Sequence, residues 1–423
     1  MKARLDHVAI AVSDVERALA FYRDALGLDV LPAVDVAAEG VRVRFVPGTP
    51  TAIELLEPLD PATPVGRFVA AHGPGLHHFT LRVEDLDVAV ARLQACGARL
   101  AGGIREGAEG ARVAFVHPAS AHGVLVELRE DVPSRASAPP ALEVRAIDWG
   151  GFRLVSLHDG LIRLDGGAMF GVVPRVLWER RMVPDDRNRV CLAMRPLLIE
   201  SARGRLLVDC GVGDALDARQ EGIYGLDRSR HLDHALAAAG VTPEAIDRVL
   251  LTHLHFDHVG GATTLRDGRR VPRFPAAEYF VRKGEWEDAV HPHARNRASY
   301  LVDTLRPLEQ AGVVRLFEQD GEVEPGVRVH TTGGHTRHHQ VVHIESEGRT
   351  AVFAGDLVPT VAHVDEPWIM AYDLHPVQTL RAKTRLLQEA VDREYLIFFE
   401  HDPVVSAGYI RERDGRRYVE QVL

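Results

Sequence analysis

The hydrophobic pattern along this chain changes period several times. Over "LDHVAIAV" from Leu5, and again over "HHFTLRV" from His77, apolar and polar positions alternate with a period of two, which predicts half-buried strands. Each is followed by an Asp and then by apolar residues at helical spacing. This predicts helices over roughly 14–26 and 85–96, with Gly27 and Gly97 as their stops. When "HVAIAVSDVERAL" from His7 is set above "HFTLRVEDLDVAV" from His78, Val12 falls on Val83, Asp14 on Asp85, Val15 on Leu86 and Ala18 on Ala89, all at one offset of 71. Further strands close the two copies on "AIELLEP" and "VLVELRE". Two βαβββ units in tandem, an α+β fold, is the simplest reading.

The periodicity stops in "EDVPSRASAPPALE", residues 130–143, which is rich in Pro, Ser and Ala and reads as a linker. A domain over 1–131, a linker over 132–143 and a second domain over 144–423 are therefore expected. The second domain mixes apolar runs ("PLLIES", "RLLVDCG", "DRVLLTH", "TAVFAGD", "YLIFFEH") with helical stretches at 229–240 and 376–392. Continuous apolar strands are those buried on both faces, so this part reads as a layered α/β domain.

Strand parity sorts the polar residues of the first domain. Successive side chains point to opposite faces. His77 shares a face with Phe79, Leu81 and Val83, the bulky helix-packing set, and His78 shares the other with Thr80 and Arg82. His7 lies with Ala9 and Ala11 opposite Val8, Ile10 and Val12, and Glu127 opposes Val124, Val126 and Leu128. His7, His78 and Glu127 thus occupy the less packed face of their strands. The repeat pairs His7 with His78 and, after a two-residue adjustment, Glu54 with Glu127. Two His and two Glu, one of each from each half, can converge on one metal. His77 is assigned to packing or to support of a ligand, and His117 and His122 to a turn.

The stretches "LDHVAIAVSDVERALAFYRDALG", "IELLEP", "GPGLHHFTLRVEDL" and "FVHP…GVLVEL" together resemble methylmalonyl-CoA epimerase, of the vicinal-oxygen-chelate (glyoxalase I-like) fold, over nearly all of residues 4–130. The resemblance implies metal ligands at His7, His78 and Glu127 with a fourth position at Glu54, one divalent metal such as Co, Mn or Zn, and an acyl-CoA substrate. It also implies two glutamates that exchange the α-proton, Glu127 and, in "EGV", Glu39. Epimerisation removes a proton on one face and returns it on the other, which a carboxylate on each side can do.

A louder cluster follows. "VLLTHLHFDHVGG" is a strand running straight into H-x-H-x-D-H, and imidazoles and a carboxylate crowded at a strand end point to metal. His335 in "GGHTRHHQ", Asp356 in "FAGD" and His401 in "LIFFEH" come later, the last two each directly after an apolar strand. The pattern resembles the metallo-β-lactamase fold hydrolases, an αββα sandwich, over roughly 150–410, and within them the lactonase-like branch. Carried over, His253, His255 and His335 would hold one metal, Asp257, His258 and His401 a second, and Asp356 would bridge them. Two Zn or similar ions and hydrolysis of an ester, lactone, thioester or phosphoester are implied, with Asp257 also catalytic. Asp209 in "LLVDCG" is expected to orient the cluster. His338 and His339 are assigned to strand packing over substrate contact, and the apolar "GAMFGVVPRVLWER" to core.

Composition narrows the partners. The net charge is −10 and no basic patch dominates, which argues against a nucleic-acid partner. Three scattered cysteines and no apolar run long enough to span a bilayer fit a reduced, cytoplasmic protein with no membrane partner. Small-molecule substrates and a homo-oligomer are expected. The leading hypothesis is a bifunctional enzyme, an epimerase fused to a dinuclear hydrolase. The alternatives are an active hydrolase with a binding module in front, a glyoxalase I/II-like pair, and a metal-storage or sensor protein.

Overall fold

The structure is a computed structural model and describes residues 3–36, 39–47, 51–83, 85–106, 111–130, 142–227, 229–413 and 415–423. The chain forms two compact units, Met1–Ala138 and Pro139–Leu423. Apart from residues 142 and 143, the linker expected over 132–143 lies outside the described residues.

In the first unit, β1 (Ala3–Ala11) leads to α1 (Val15–Leu19) and then β2 (Val34–Val36), β3 (Val41–Val46) and β4 (Ala52–Pro58). After α2 (Pro64–His72) the plan recurs as β5 (Gly75–Val83), α3 (Leu86–Ala95), β6 (Arg105–Glu106), β7 (Arg112–Val116) and β8 (Leu125–Glu130). All eight strands form one sheet in the order β2-β3-β4-β1-β5-β8-β7-β6. The duplication read from the sequence is therefore also a duplication of backbone. β1 pairs in parallel with β4, setting Ala9 opposite Glu54, and β5 pairs in parallel with β8, setting Thr80 opposite Glu127. Ala9 and Thr80 are separated by the same offset as His7 and His78. The two halves meet at the antiparallel β1–β5 pair.

Asp14 and Asp85 cap the two helices, their carboxylates accepting from Arg17 N and Val88 N. The helix expected over 14–26 is α-helical only to Leu19 and continues as a π-helical segment over Ala20–Ala25. The helix-packing face is as the alternation predicts: Val83, Val126 and Leu128 pack on Leu86, Ala89 and Val90 of α3, and Val12 packs on Val15 and Leu19 of α1. The opposite face corrects the expectation. It is the better buried of the two, with Ala9, Ala11 and Thr80 at 0% exposure. The reason is curvature. The sheet curls until Arg105 of edge strand β6 reaches Glu39 beside edge strand β2 (3.3 Å), and α2 lays Val65 against Ala9 and Val41. Alternation sorts faces but does not say which of them a curled sheet encloses.

The second unit is an αββα sandwich. Two seven-stranded sheets pack face to face, Leu154, Leu197 and Leu206 of one against Val329, Val342 and Phe353 of the other. Helices Leu232–Ala238 and Val302–Gln310 cover the outside of the first sheet, and Pro376–Asp392 covers the second. The apolar runs have their cause here: Leu206 and Val208 face the space between sheets, while Leu207 faces the outer helices. The helix expected over 229–240 is shorter, and that over 376–392 has its expected limits. Met169, Phe170 and Trp178 of "GAMFGVVPRVLWER" are core, with Phe170 stacked between Trp178 and His363. Among the described residues no helix is long and apolar enough to cross a membrane, and the three cysteines are unpaired.

Leu86 is fully buried between α3 and the sheet. Leu86→Ala is expected to destabilise the first unit by about 2–5 kcal/mol through the cavity it leaves, read as a lower urea midpoint for that unit.

Candidate metal centres

In the first unit the enclosed sheet face gathers donors from four strands around a small cavity of about 40 Å³. His7 Nε2 lies 3.3 Å from Glu54 Oε2 and 3.8 Å from Glu127 Oε2. His78 Nε2 lies 3.9 and 3.4 Å from the same two atoms. All four residues are at most 9% exposed. The arrangement follows the duplication: β1 and β5 each supply a histidine, and their parallel partners β4 and β8 each supply a glutamate. Glu39 lines the same cavity and is tied to Arg105, which also sits over the Phe115 ring (4.8 Å).

Neighbouring groups orient these donors. Asp6 accepts from His7 Nδ1 (3.1 Å) and is itself held by Arg82 and Arg129. Burial works against charging His7, but hydrogen bonds to Asp6 and Glu54 and the charges of Glu54 and Glu127 raise its pKa to about 9. His77 both packs and supports a donor, as expected. It sits edge-on to Phe68 of α2, and its Nδ1 is 2.8 Å from His78 Nδ1, which leaves His78 Nε2 directed at the glutamates. Burial, reinforced by His78, pushes the His77 pKa down to about 4, so the ring is a neutral hydrogen-bonding partner. Thr80, to which the sequence reading gave no role, donates to Glu127 Oε2 (2.5 Å) and lies 2.9 Å from His7 Nε2. His117 and His122 are turn residues, His117 capping a short 3-10 helix and His122 having φ +54°.

In the second unit the donors lie at strand ends around Asp356. Its Oδ2 faces His335 Nε2 (3.0 Å) and His253 Nε2 (3.9 Å); its Oδ1 faces His401 Nε2 (3.0 Å) and His258 Nε2 (3.5 Å). His255 Nδ1 joins the first group, 3.0 Å from His335 Nε2. Asp257 joins the second, 3.9 Å from both His258 Nε2 and His401 Nε2. Two half-sites therefore share one carboxylate. Ligand atoms of His253, His255, His335 and Asp356 all lie within 4.8 Å of one another, as do those of Asp257, His258 and His401.

The far side of nearly every ring is fixed by a hydrogen bond. His335 Nδ1 donates to Asp373 (2.8 Å), His401 Nδ1 to Ala193 O (2.8 Å) and His258 Nδ1 to Asp209 Oδ2 (3.0 Å). Asp209 adopts φ +55° and also accepts from Thr252 N and Oγ1, while Thr252 Oγ1 sits 3.1 Å from His253 Nδ1. Each bond leaves the inward nitrogen with its lone pair free. His339 Nε2 accepts from Asp356 N (3.1 Å) and its Nδ1 meets Thr332 Oγ1 (2.7 Å), so it fixes the Asp356 backbone. Gly334 has φ +87°, and a Cβ there would lie 2.3 Å from Thr379 Oγ1, which is how the turn delivers His335 against helix Pro376–Asp392.

The donor set suits divalent metal. Nε2 of His253 and Oδ1 of Asp356 are buried without a hydrogen-bond partner, a costly state for lone pairs aimed at a shared space unless a cation lies among them. Burial and neighbouring imidazoles hold His253 and His255 well below the ordinary histidine pKa. His258 is held well above it, because the charges of Glu400 and Asp356 outweigh its burial.

Three residues that support this site were not singled out from sequence. Glu285 bridges two donor loops, accepting from Leu254 N, Tyr300 OH and Thr336 Oγ1. Asp373 holds His335. Glu400 Oε2 lies 3.1 Å from His258 Nδ1 but off hydrogen-bonding geometry, and burial pushes its pKa up. Only Glu400 had a local signal, an acid inside the apolar run "LIFFEH".

Residues 6–115 match the Glyoxalase/Bleomycin resistance protein/Dioxygenase superfamily, and residues 196–401 match the Metallo-beta-lactamase superfamily. The chain belongs to both families. Its first unit is 43% identical over 133 residues to an ethylmalonyl-CoA/methylmalonyl-CoA epimerase of Cereibacter sphaeroides, covering 31% of this chain and 99% of the relative. Its second unit is 26% identical over 216 residues to an N-acyl homoserine lactonase of Bacillus thuringiensis, covering 48% of this chain and 79% of the relative. A crystal structure of a probable metal-dependent hydrolase from Staphylococcus aureus is similar at 33% identity and a TM-score of 0.60, covering 66% of this chain and 100% of that one.

Removing the Thr80 hydroxyl should loosen Glu127 while leaving all four donors in place. Thr80→Val is expected to weaken divalent-metal binding by the first unit about 10–100-fold, measured by equilibrium dialysis. A second test uses Lys383, buried at 1% exposure, whose Nζ donates to Asp365 O and Trp368 O and anchors the loop that carries Asp373. Burial pushes its pKa down to about 7. Between that value and the ordinary lysine value the unfolded chain binds the extra proton, so stability rises with pH above about 7 and is flat below it. The unfolding free energy of the second unit should therefore gain about 2 kcal/mol from pH 7 to 9 relative to Lys383→Met. Parallel curves for the two proteins would refute the assignment.

Proposed function

We propose that this chain is a bifunctional metalloenzyme. The first unit epimerises an acyl-CoA such as methylmalonyl-CoA, and the second hydrolyses an ester, lactone or thioester. The observation that carries this reading is that each unit encloses its own buried set of imidazole and carboxylate donors. The epimerase and lactonase relatives supply the two reaction classes.

In the first unit His7, Glu54, His78 and Glu127 would hold one divalent ion such as Co, Mn or Zn, which would polarise the thioester and ease loss of the α-proton. Glu39 and Glu127 carry the proton. One carboxylate takes it from the α-carbon on one face, leaving an enolate, and the other carboxyl group returns a proton on the opposite face. Their surroundings push the two apart: burial raises the Glu39 pKa, whereas His78, Thr80 and His7 outweigh burial and lower that of Glu127. Arg105 holds Glu39 in position.

In the second unit His253, His255 and His335 would hold one ion and Asp257, His258 and His401 another, with Asp356 between. Two such ions, Zn or similar, would acidify water and polarise the scissile carbonyl. Asp257, 7% exposed at the edge of its half-site, accepts the proton of the attacking water. Asp209, Asp373 and His339 keep the donors aligned and exclude solvent from behind them.

The test is a crossover. In deuterated water the metal-loaded protein is expected to exchange the α-proton of methylmalonyl-CoA and to hydrolyse at least one member of a panel of lactones, esters and thioesters. His78→Ala should abolish exchange and spare hydrolysis, and Asp257→Ala should do the reverse. If either folded variant loses both activities, the two-centre reading fails. Arg105→Ala should slow epimerisation at least about tenfold, while one epimer still washes in deuterium through Glu127 alone; Arg105→Lys should restore part of the rate. Equal loss of exchange from both epimers would exclude a Glu39-specific role for Arg105.

A further inference from the structure

A cavity of about 310 Å³ opens in the second unit between helix Pro376–Asp392 and strands Val327–Thr331 and Gln340–Ser346. None of the donors described above lines it. Its middle is apolar, formed by Val341, Leu357, Ala382 and Leu386. One wall is a row of rings: His330 stands 4.5 Å from His343, and His343 stands edge-on to Tyr395 at 5.9 Å. His343 is 9% exposed, its Nδ1 has no hydrogen-bond partner, and burial keeps the ring neutral by lowering its pKa to about 4.

The charged lining is balanced. Arg385 and Glu389 lie on the helix and Arg393 caps its C-terminus, the three at i, i+4 spacing, and Glu345 lies on the facing strand. That spacing ordinarily closes ion pairs. Among the described residues, however, Arg385, Glu389, Arg393 and Glu345 form no ion pair with one another or with any other group. Two free cations and two free anions around an apolar middle have no net preference for a ligand of either sign. They match a ligand that carries one charge of each sign close together and a hydrocarbon body.

We propose that this cavity is a binding site for a zwitterionic α-amino acid with an apolar side chain. Its carboxylate is taken by the guanidinium groups of Arg385 and Arg393 and its ammonium by Glu389 and Glu345. Its side chain lies between Leu357 and Leu386. A volume near the lower end for ligand pockets suits a molecule of this size. The cavity borders the metal cluster. Leu357 follows Asp356, and Thr332, also in the lining, meets His339 Nδ1 while His339 Nε2 accepts from Asp356 N. An occupant therefore rests two hydrogen bonds from the backbone of Asp356, whose carboxylate the half-sites share.

L-Leucine titrated calorimetrically into the zinc-loaded full chain is the test, with 4-methylpentanoate and isopentylamine as single-charge analogues. Leucine is expected to bind at least about tenfold more tightly than either analogue, each lacking one charge-assisted contact. Glu389→Gln and the double variant Arg385→Gln/Arg393→Gln, both surface changes, should each weaken leucine about tenfold or more. Asp257→Ala should bind leucine as the unaltered protein does. The proposal is overturned if 4-methylpentanoate binds as well as leucine, if the cavity variants bind leucine unchanged, or if Asp257→Ala removes binding, which would place leucine on the metal cluster. None of these readouts depends on hydrolysis, so failure here and failure of the proposed activity are separable.

Discussion

The second unit is organised around one shared carboxylate. Asp356 presents one oxygen to the group of His253, His255 and His335 and the other to the group of Asp257, His258 and His401. Seven buried donors pointing at one another are unfavourable unless each is aimed and the space among them is filled by positive charge. The aiming consumes much of the surrounding polar chemistry. Asp209, Asp373, Thr252 and the Ala193 carbonyl fix ring tautomers, His339 fixes the Asp356 backbone, and Glu285 ties the loop of Leu254 to that of Thr336. The sandwich can hold such loops because its sheets are closed by apolar side chains on both faces, so strand ends are the rigid points from which polar groups project.

The first unit solves a similar problem by duplication. Each half contributes a histidine and a glutamate at equivalent register, and the antiparallel β1–β5 pair brings the halves together. The symmetry is broken at one pair of positions, where Ala9 faces Glu54 and Thr80 faces Glu127. The hydroxyl of Thr80 pins Glu127, whereas Glu54 has no counterpart to it. Two carboxylates that arose as equivalents are thereby made unequal, which a site assigning them separate roles requires. His77 and His78 divide in the same manner: one ring points at the glutamates, and its neighbour sits against Phe68 and sets the tautomer of the first.

What could be read from the sequence was local or periodic. The offset between His7 and His78 is visible because a duplication preserves spacing, and the H-x-H-x-D-H cluster is visible because its residues are adjacent. Parity identified which residues share a face, yet gave the enclosed face as the less packed one, because burial there comes from the curvature of the whole sheet. The π-helical turn after Leu19 left no mark in the hydrophobic pattern. Glu285, Asp373 and Thr80 went unassigned for another reason. Each acts on a donor distant in sequence, so its role exists only once loops far apart in the chain have met. Glu400 is the exception, since an acid ending an apolar strand is anomalous by itself.

The two donor sets also differ in a way that bears on their chemistry. With one divalent ion, His7, His78, Glu54 and Glu127 sum to neutrality, so the centre adds little net field and proton movement rests on the carboxylates themselves. With two divalent ions, five imidazoles and the carboxylates of Asp257 and Asp356 leave a surplus of positive charge, the field that favours a hydroxide and an oxyanion. Asp209 and Asp373, directly behind His258 and His335, offset that surplus from outside the donor set. A third buried acid, Glu400, also lies beside His258, and burial and the charge of Asp209 push its pKa up. The balance of fixed charge, more than the number of histidines, separates a centre suited to moving a proton from one suited to breaking an acyl bond.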